Sequence, residues 1–197
     1  MKNLLLIFLF SFSSLGFAIN CPGVANDEVC KQAWQGDARA QITLGYSYYF
    51  GEGAPQDYDQ AKMWIEKSAE QKELAGQVMM GEIYYSGNGV PQNYHQAKGW
   101  FEKAAKRGEP YSQSKIGIMY LTGQGVKQDY VQARKWFEKA AIQGNATALG
   151  KLSVMYYQGL GVKQDLSKSK FFAGELCDKG DQKGCDLYRR FNEDGVP

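Results

Sequence analysis

The chain has 197 residues, 44% apolar and 22% charged, and its 23 Lys+Arg against 21 Asp+Glu leave a formal charge of +2. That near-balance removes the strong basic excess by which nucleic-acid or anionic-lipid binding is read from composition, so neither partner is expected. Glycine, at 23 residues about 12% of the chain against an ordinary share of about 7%, combined with 5 prolines, excludes collagen and a Pro-rich linker and points to many turns at set places.

At the N-terminus Lys2 is followed by the apolar run of residues 4–15 and then by Gly16-Phe17-Ala18. A positive charge, an apolar stretch of about a dozen residues and a small-x-small exit have the form of a secretory signal peptide, shorter than the roughly 20 apolar residues of a membrane span. Residues 1–18 are therefore expected to be a leader cleaved after Ala18, with the mature chain in the periplasm or secreted. Asn20, standing where a lipoprotein would carry a small residue before Cys21, argues against a lipid anchor, and no later stretch is long and apolar enough to enter a bilayer stably. In an oxidising compartment Cys21, Cys30, Cys177 and Cys185 read as disulfides. Three pairings exist, and neighbours in sequence are favoured because they lie only nine and eight residues apart. Each such bridge closes a loop of about ten residues, worth on the order of 2.5 kcal/mol in the chain-entropy model. A zinc site would need Cys-x-x-Cys spacing or several histidines, and His95 is the one histidine; no metal is expected.

The rest of the chain repeats every 36 residues. Gly51, Gly87, Gly123 and Gly159 keep this step, as do Gly53, Gly89, Gly125 and Gly161, and Tyr48, Tyr84, Tyr120 and Tyr156. Trp64, Trp100 and Trp136 continue it, with Phe172 in the fourth place; Ala69, Ala105 and Ala141 are followed there by Cys177. Four units without insertion result, at 37–72, 73–108, 109–144 and 145–180, a pattern that means identical units stacked in a row.

Each unit predicts two helices. In the first copy Leu44, Gly45 and Tyr48 share one face of a helix over Ala38 to Phe50. The small residue recurs as Gly81, Gly117 and Ser153, which predicts a neighbouring helix too close for a side chain, and Gly-x-Gly then stops the helix. Asp57, Asn93, Asp129 and Asp165 stand as N-caps of the second helix, and Gln60, Gln96 and Gln132 complete a capping-box pattern. The second helix, to about Glu70 in copy one, buries Ala61, Trp64, Ile65 and Ala69 while Lys62, Glu66 and Lys67 solvate its other face. Half-units close the ends: a disulfide-tied cap at 19–36, with a second-type helix at 26–35, and a first-type helix at 181–193 within the cap 181–197. A Cys177–Cys185 bond would staple the latter.

The strings Leu44-Gly45-x-x-Tyr48-x-x-Gly51-x-Gly53 and Gln56-Asp57-Tyr58-x-x-Ala61-x-x-Trp64-x-x-Lys67, echoed from Val126 to Ala141, resemble the Sel-1-like repeat family, α/α solenoids related to tetratricopeptide repeats. The resemblance covers nearly all of the mature chain. It implies an all-α, right-handed superhelix of helix pairs acting as a protein-binding adaptor. Bacterial members of the family are often exported and linked to host interaction, envelope assemblies or immunity against secreted toxins. The Cys177 and Cys185 pair also resembles the secreted cysteine-rich branch, for which penicillin binding and weak β-lactamase activity have been proposed, although copies one to three carry Ala where that branch has cysteine.

Candidates for chemistry are sparse. His95 stands alone near a helix start. Ser-x-x-Lys occurs at Ser112 to Lys115 and Ser167 to Lys170 without the Lys-Thr-Gly and Ser-Asp-Asn elements that accompany it in serine β-lactamases. The Gly-x-Gly pairs follow helices, whereas a phosphate loop follows a strand. No catalytic residue or cofactor is therefore expected. Function should lie where the repeats differ. In superhelices of this type the first helices line the concave face, and its variable columns are Arg39, Ala75, Tyr111, Thr147; Thr43, Met79, Lys115, Lys151; and Tyr46, Glu82, Ile118, Val154. Arg39, Thr43, Tyr46, Met79, Glu82, Tyr111, Lys115, Ile118, Lys151 and Val154 are the candidate contacts to a partner protein or peptide. The expectation is a monomeric binding scaffold; its alternatives are an immunity protein that neutralises a secreted toxin and, from another class, a β-lactam-binding enzyme.

Overall fold

The computed structural model describes residues 21 and 23–197, so the expected leader over 1–18 lies outside the described residues. These form ten helices and no strand: α1 (Asp27–Trp34), α2 (Ala38–Phe50), α3 (Tyr58–Glu70), α4 (Leu74–Ser86), α5 (Tyr94–Ala105), α6 (Pro110–Thr122), α7 (Tyr130–Ala141), α8 (Ala146–Gln158), α9 (Leu166–Asp178) and α10 (Gln182–Glu193). Each packs on its neighbours in sequence, and α6 also approaches α8, so the chain is an α/α solenoid with α2, α4, α6 and α8 as first helices and α1 and α10 as half-repeat ends.

The first helices end on Gly51, Gly87, Gly123 and Gly159, all left-handed at φ of 75°, 80°, 77° and 72°, and the second helices begin on Asp57, Asn93, Asp129 and Asp165, whose side chains accept first-turn N–H groups. The expected capping box is only half formed. Each N-cap N–H donates to the carbonyl of the preceding Tyr48, Tyr84, Tyr120 or Tyr156 at 2.8–2.9 Å, and no Gln side chain takes it. Those carbonyls are the orphan acceptors of the first helix's last turn, so one bond satisfies both helix ends. The amides of Gln56, Gln92, Gln128 and Gln164 cap the next carbonyl, at Tyr49, Tyr85, Leu121 and Tyr157, at 2.7–2.9 Å.

Within the first three hairpins a bare patch of backbone receives a large side chain. A Cβ added to Gly45, Gly81 or Gly117 would lie 2.4, 2.5 or 2.7 Å from Ile65, Phe101 or Phe137, and all three of these side chains are fully buried. Repeat four reverses the arrangement. Ser153 faces Ala173, and its hydroxyl bonds the carbonyl of Ser169 at 2.9 Å while the Ser169 hydroxyl bonds the Ser153 carbonyl at 2.8 Å. Between repeats, a Cβ on Gly125 or Gly161 would sit 2.7 or 2.5 Å from the backbone of Tyr94 or Tyr130. The second glycine of the last two loops thus serves the junction as well as the turn.

Of the aromatic residues that recur at the 36-residue step, Trp64, Tyr48 and Tyr156 are buried, whereas Trp100, Trp136, Tyr84 and Tyr120 are half-buried. Lys67, Lys103 and Lys139 lie over the rings of Trp64, Trp100 and Trp136 at 4.5, 3.4 and 4.4 Å. Lys67 therefore stacks on a ring instead of merely solvating its face. Both disulfides join sequence neighbours, Cys21 to Cys30 and Cys177 to Cys185, and the second ties α9 to α10.

Lys72 occupies the helix-linking turn where the other units have Gly108, Gly144 and Gly180, and at φ 66° it is the one non-glycine residue of positive φ among the described residues. Lys72→Gly is expected to stabilise the fold by roughly 1 kcal/mol in urea unfolding, because the left-handed conformation costs about that much for a residue with a Cβ. Gly117→Ala should lower stability by about 1–3 kcal/mol in the same assay despite its better helix propensity, since the new methyl overlaps the Phe137 ring.

Candidate binding face

The columns that vary between repeats lie on the first helices, and the structure gathers them into three stations. At the first, on α2, Arg39 and Thr43 are exposed, the Thr43 hydroxyl bonds the Arg39 carbonyl at 2.8 Å, and half-buried Tyr46 stands 6.0 Å from the ring of Phe50. Met79 departs from expectation. Only 7% exposed, it belongs to the core cluster of Leu44, Trp64 and Met80, so an apolar side chain in this column is drawn inward where it meets an open flank.

The second station spans α4 and α6. Lys115 Nζ lies 3.0 Å from a Glu82 carboxylate oxygen and over the rings of Tyr85 and Tyr111 at 4.6 and 5.1 Å. The Tyr85 hydroxyl donates to Gln124 Oε1 at 2.8 Å, and the Gln124 amide donates to the Tyr94 hydroxyl at 3.1 Å, locking adjacent repeats together. Tyr49 accepts from Asn88 at 2.7 Å in the equivalent place one junction earlier. Burial, then the Glu82 carboxylate, push the Tyr111 hydroxyl well above its ordinary pKa of 10.0; burial also raises Tyr85 and Tyr46. Half-buried Ile118 leans on the cluster of Phe137, Leu152 and Met155.

At the third station, exposed Lys151 and Val154 on α8 border an open groove with Lys183 and Leu187 of α10. The last two residues escape a reading of four repeats, yet they continue the columns of Arg39 and Thr43 at the same 36-residue step into the terminal half-unit. A further recurrence, also unread in the sequence, lies behind the face. Buried Gln41 and Gln113 donate to the carbonyls of Ala33 and Ala105 at 3.1 and 3.2 Å and accept from Gln71 and Gln143 at 2.7 and 3.0 Å, satisfying polar atoms inside the junctions.

The residues considered for chemistry are dispersed. Ser112 is fully buried, while Lys115 is engaged by Glu82 instead. Ser167 is exposed, and Lys170 donates to the Val196 carbonyl. His95 is exposed on the first turn of α5. Among the described residues no three His, Cys, Asp or Glu side chains converge as metal ligands, and no helix is long and apolar enough to cross a membrane.

An α/α solenoid of four like helix pairs has the architecture of a helical repeat protein. The Sel1 repeat family matches residues 38–73, 74–109, 110–145 and 146–181, and the chain belongs to that family. No curated relative matches. Among solved structures the chain is similar to a protective antigen of uropathogenic Escherichia coli displaying an SLR fold, at 34% identity and a TM-score of 0.83 over 86% of this chain and 36% of that one. It is likewise similar to a Sel1 repeat protein from Oxalobacter formigenes, at 29% identity and TM-score 0.77 over 82% of this chain and 66% of the other. The chain thus spans about a third of the first structure and just under two thirds of the second. An immunity protein from Pseudomonas aeruginosa, 20% identical with a TM-score of 0.52 over 79% of this chain and 58% of that one, shares the fold.

The tyrosine hydroxyls held above their ordinary pKa make the protein sensitive to alkali. A tyrosine whose folded pKa is raised holds its proton when the unfolded chain would lose it, so its contribution to stability is complete below pH 10 and declines as pH rises from 10.0 toward the folded value. Urea unfolding at a series of alkaline pH values should show this fall, and Tyr111→Phe should make it shallower.

Proposed function

We propose that the protein is an exported adaptor, acting as a monomer, whose first-helix face binds another protein or peptide without catalytic chemistry. The observation that carries this reading is a division of labour by position. Residues that recur at the 36-residue step are consumed by packing and capping, whereas Arg39, Thr43, Tyr111, Lys151 and Val154, which differ between repeats on one face, stay exposed. Tyr46, Tyr111 and Ile118 supply apolar contact area with little entropy to lose, and the charges beside them orient a guest.

Export is supported by the leader-like residues 1–18 and by two disulfides, which persist in oxidising compartments. The similar Escherichia coli structure is that of a protective antigen, which agrees with a protein made for the periplasm or the exterior. Ser112, the serine on which a β-lactam reading leans, is sealed inside the solenoid and weakens that alternative.

Affinity capture from periplasmic extract should recover a specific partner with the native protein and lose it with the double variant Tyr46→Glu, Ile118→Glu, helical circular dichroism being retained. Equal recovery by both would sink the first-helix face as the binding surface.

A further inference from the structure

Side-chain volume falls away at the end of the array. One column reads Ile42, Val78, Ser114, Gly150, and another Ile65, Phe101, Phe137, Ala173. The chain does not refill the lost volume: a groove of about 520 Å³ opens between α8 and α10, floored by Ala173 and Leu176 of α9. This is within the range of sites that seat a ligand or a few peptide residues. Gly150 has no structural need to be glycine. Its φ is not positive, and an added Cβ would meet only Leu176 Cδ2, at an ordinary 3.4 Å, although glycine weakens a helix interior. What the glycine provides is the opening.

Charge distinguishes this groove from the station before it. Lys115 is neutralised by Glu82, which stands in the column of Tyr46 one repeat earlier. Lys151 is the equivalent of Lys115, and the residue placed as Glu82 would be is Ile118. Lys151 therefore meets an apolar side chain where the repeat geometry offers a carboxylate, and among the described residues neither it nor exposed Lys183 has an acid at ion-pair distance. Asp181, the acid on the groove lining, is engaged in capping α10, accepting the Gly184 N–H at 2.9 Å. The site thus combines an apolar trough, bounded by Val154, Leu176 and Leu187, with two lysine ammonium groups at its rim that form no ion pair among the described residues.

Resting on the adaptor reading above, we infer that this groove is the docking subsite for a partner segment that carries a carboxylate beside a large apolar side chain. The apolar group fills the trough over Gly150 and Ala173. The carboxylate takes the place beside Lys151 that Glu82 takes beside Lys115, with Lys183 close by on α10.

The test is panning of a phage-displayed random peptide library on the folded protein, followed by anisotropy titration of a dye-labelled enriched peptide. The expected enrichment is Asp or Glu next to Phe, Leu or Trp, with affinity that weakens as NaCl is raised. Lys151→Glu with Lys183→Glu should weaken binding at least about tenfold. Gly150→Val, which installs the residue found at position 78 and plugs the trough, should do the same with thermal stability retained. A basic or purely apolar consensus, or peptides held equally by Gly150→Val, would overturn the subsite. So would a dimer in light scattering that the double lysine variant splits, because the groove would then belong to a second copy. If peptides ignore the groove while partner capture still depends on Tyr46 and Ile118, the subsite fails and the adaptor reading stands; if capture ignores both sets of changes, both fail.

Discussion

The solenoid depends on one contact made in three of its four repeats, the seating of a second-helix side chain on first-helix backbone that has no side chain of its own. Ile65, Phe101 and Phe137 press onto Gly45, Gly81 and Gly117 at distances no Cβ would permit. Removing such a buried phenyl ring costs about 3–5 kcal/mol, against about 1 kcal/mol of helix propensity given up at the glycine, so the exchange favours the hairpin. In repeat four the two helices are joined by another means. The large residue becomes Ala173, the glycine becomes Ser153, and the lost apolar burial is answered by reciprocal hydroxyl bonds between Ser153 and Ser169.

Around that contact the polar groups are arranged so that each helix end closes the next. The N-cap amide of every second helix and the Gln before it take the last carbonyls of the first helix. Buried glutamines do the same between repeats. The junction glutamines Gln41 and Gln113 are buried, where an unpaired group would cost about 1–3 kcal/mol, so they penalise a slip of one unit against another. The array is held in register by polar satisfaction and held together by apolar burial.

This arrangement leaves the first-helix face with little structural duty, and its character changes along the length. In the middle, Glu82, Lys115, Tyr85, Tyr111 and Gln124 pair with one another. Toward the C-terminal end the columns lose their large side chains and the place of Glu82 is taken by Ile118, and the face opens into a trough whose lysines form no ion pair among the described residues. The disulfide between Cys177 and Cys185 holds α10 as the far wall of that trough. The bridge therefore shapes a surface as well as securing a chain end.

The period, the helix pairs, their caps and the need for close approach were all legible in the sequence, because each is a local rule written four times and a repeated local rule has a single consistent solution. The hairpin limits at Ala38 and Phe50, and at Tyr58 and Glu70, follow from glycine and N-cap chemistry acting within a few residues. Which partner each polar group takes was decided by tertiary structure, since Gln60 could reach back to its own N-cap but the Tyr48 carbonyl arrives there first. Tertiary packing likewise drew Met79 into the core and brought Lys183 and Leu187 beside Lys151, because burial and adjacency between helices depend on the shape of neighbours that are distant along the chain.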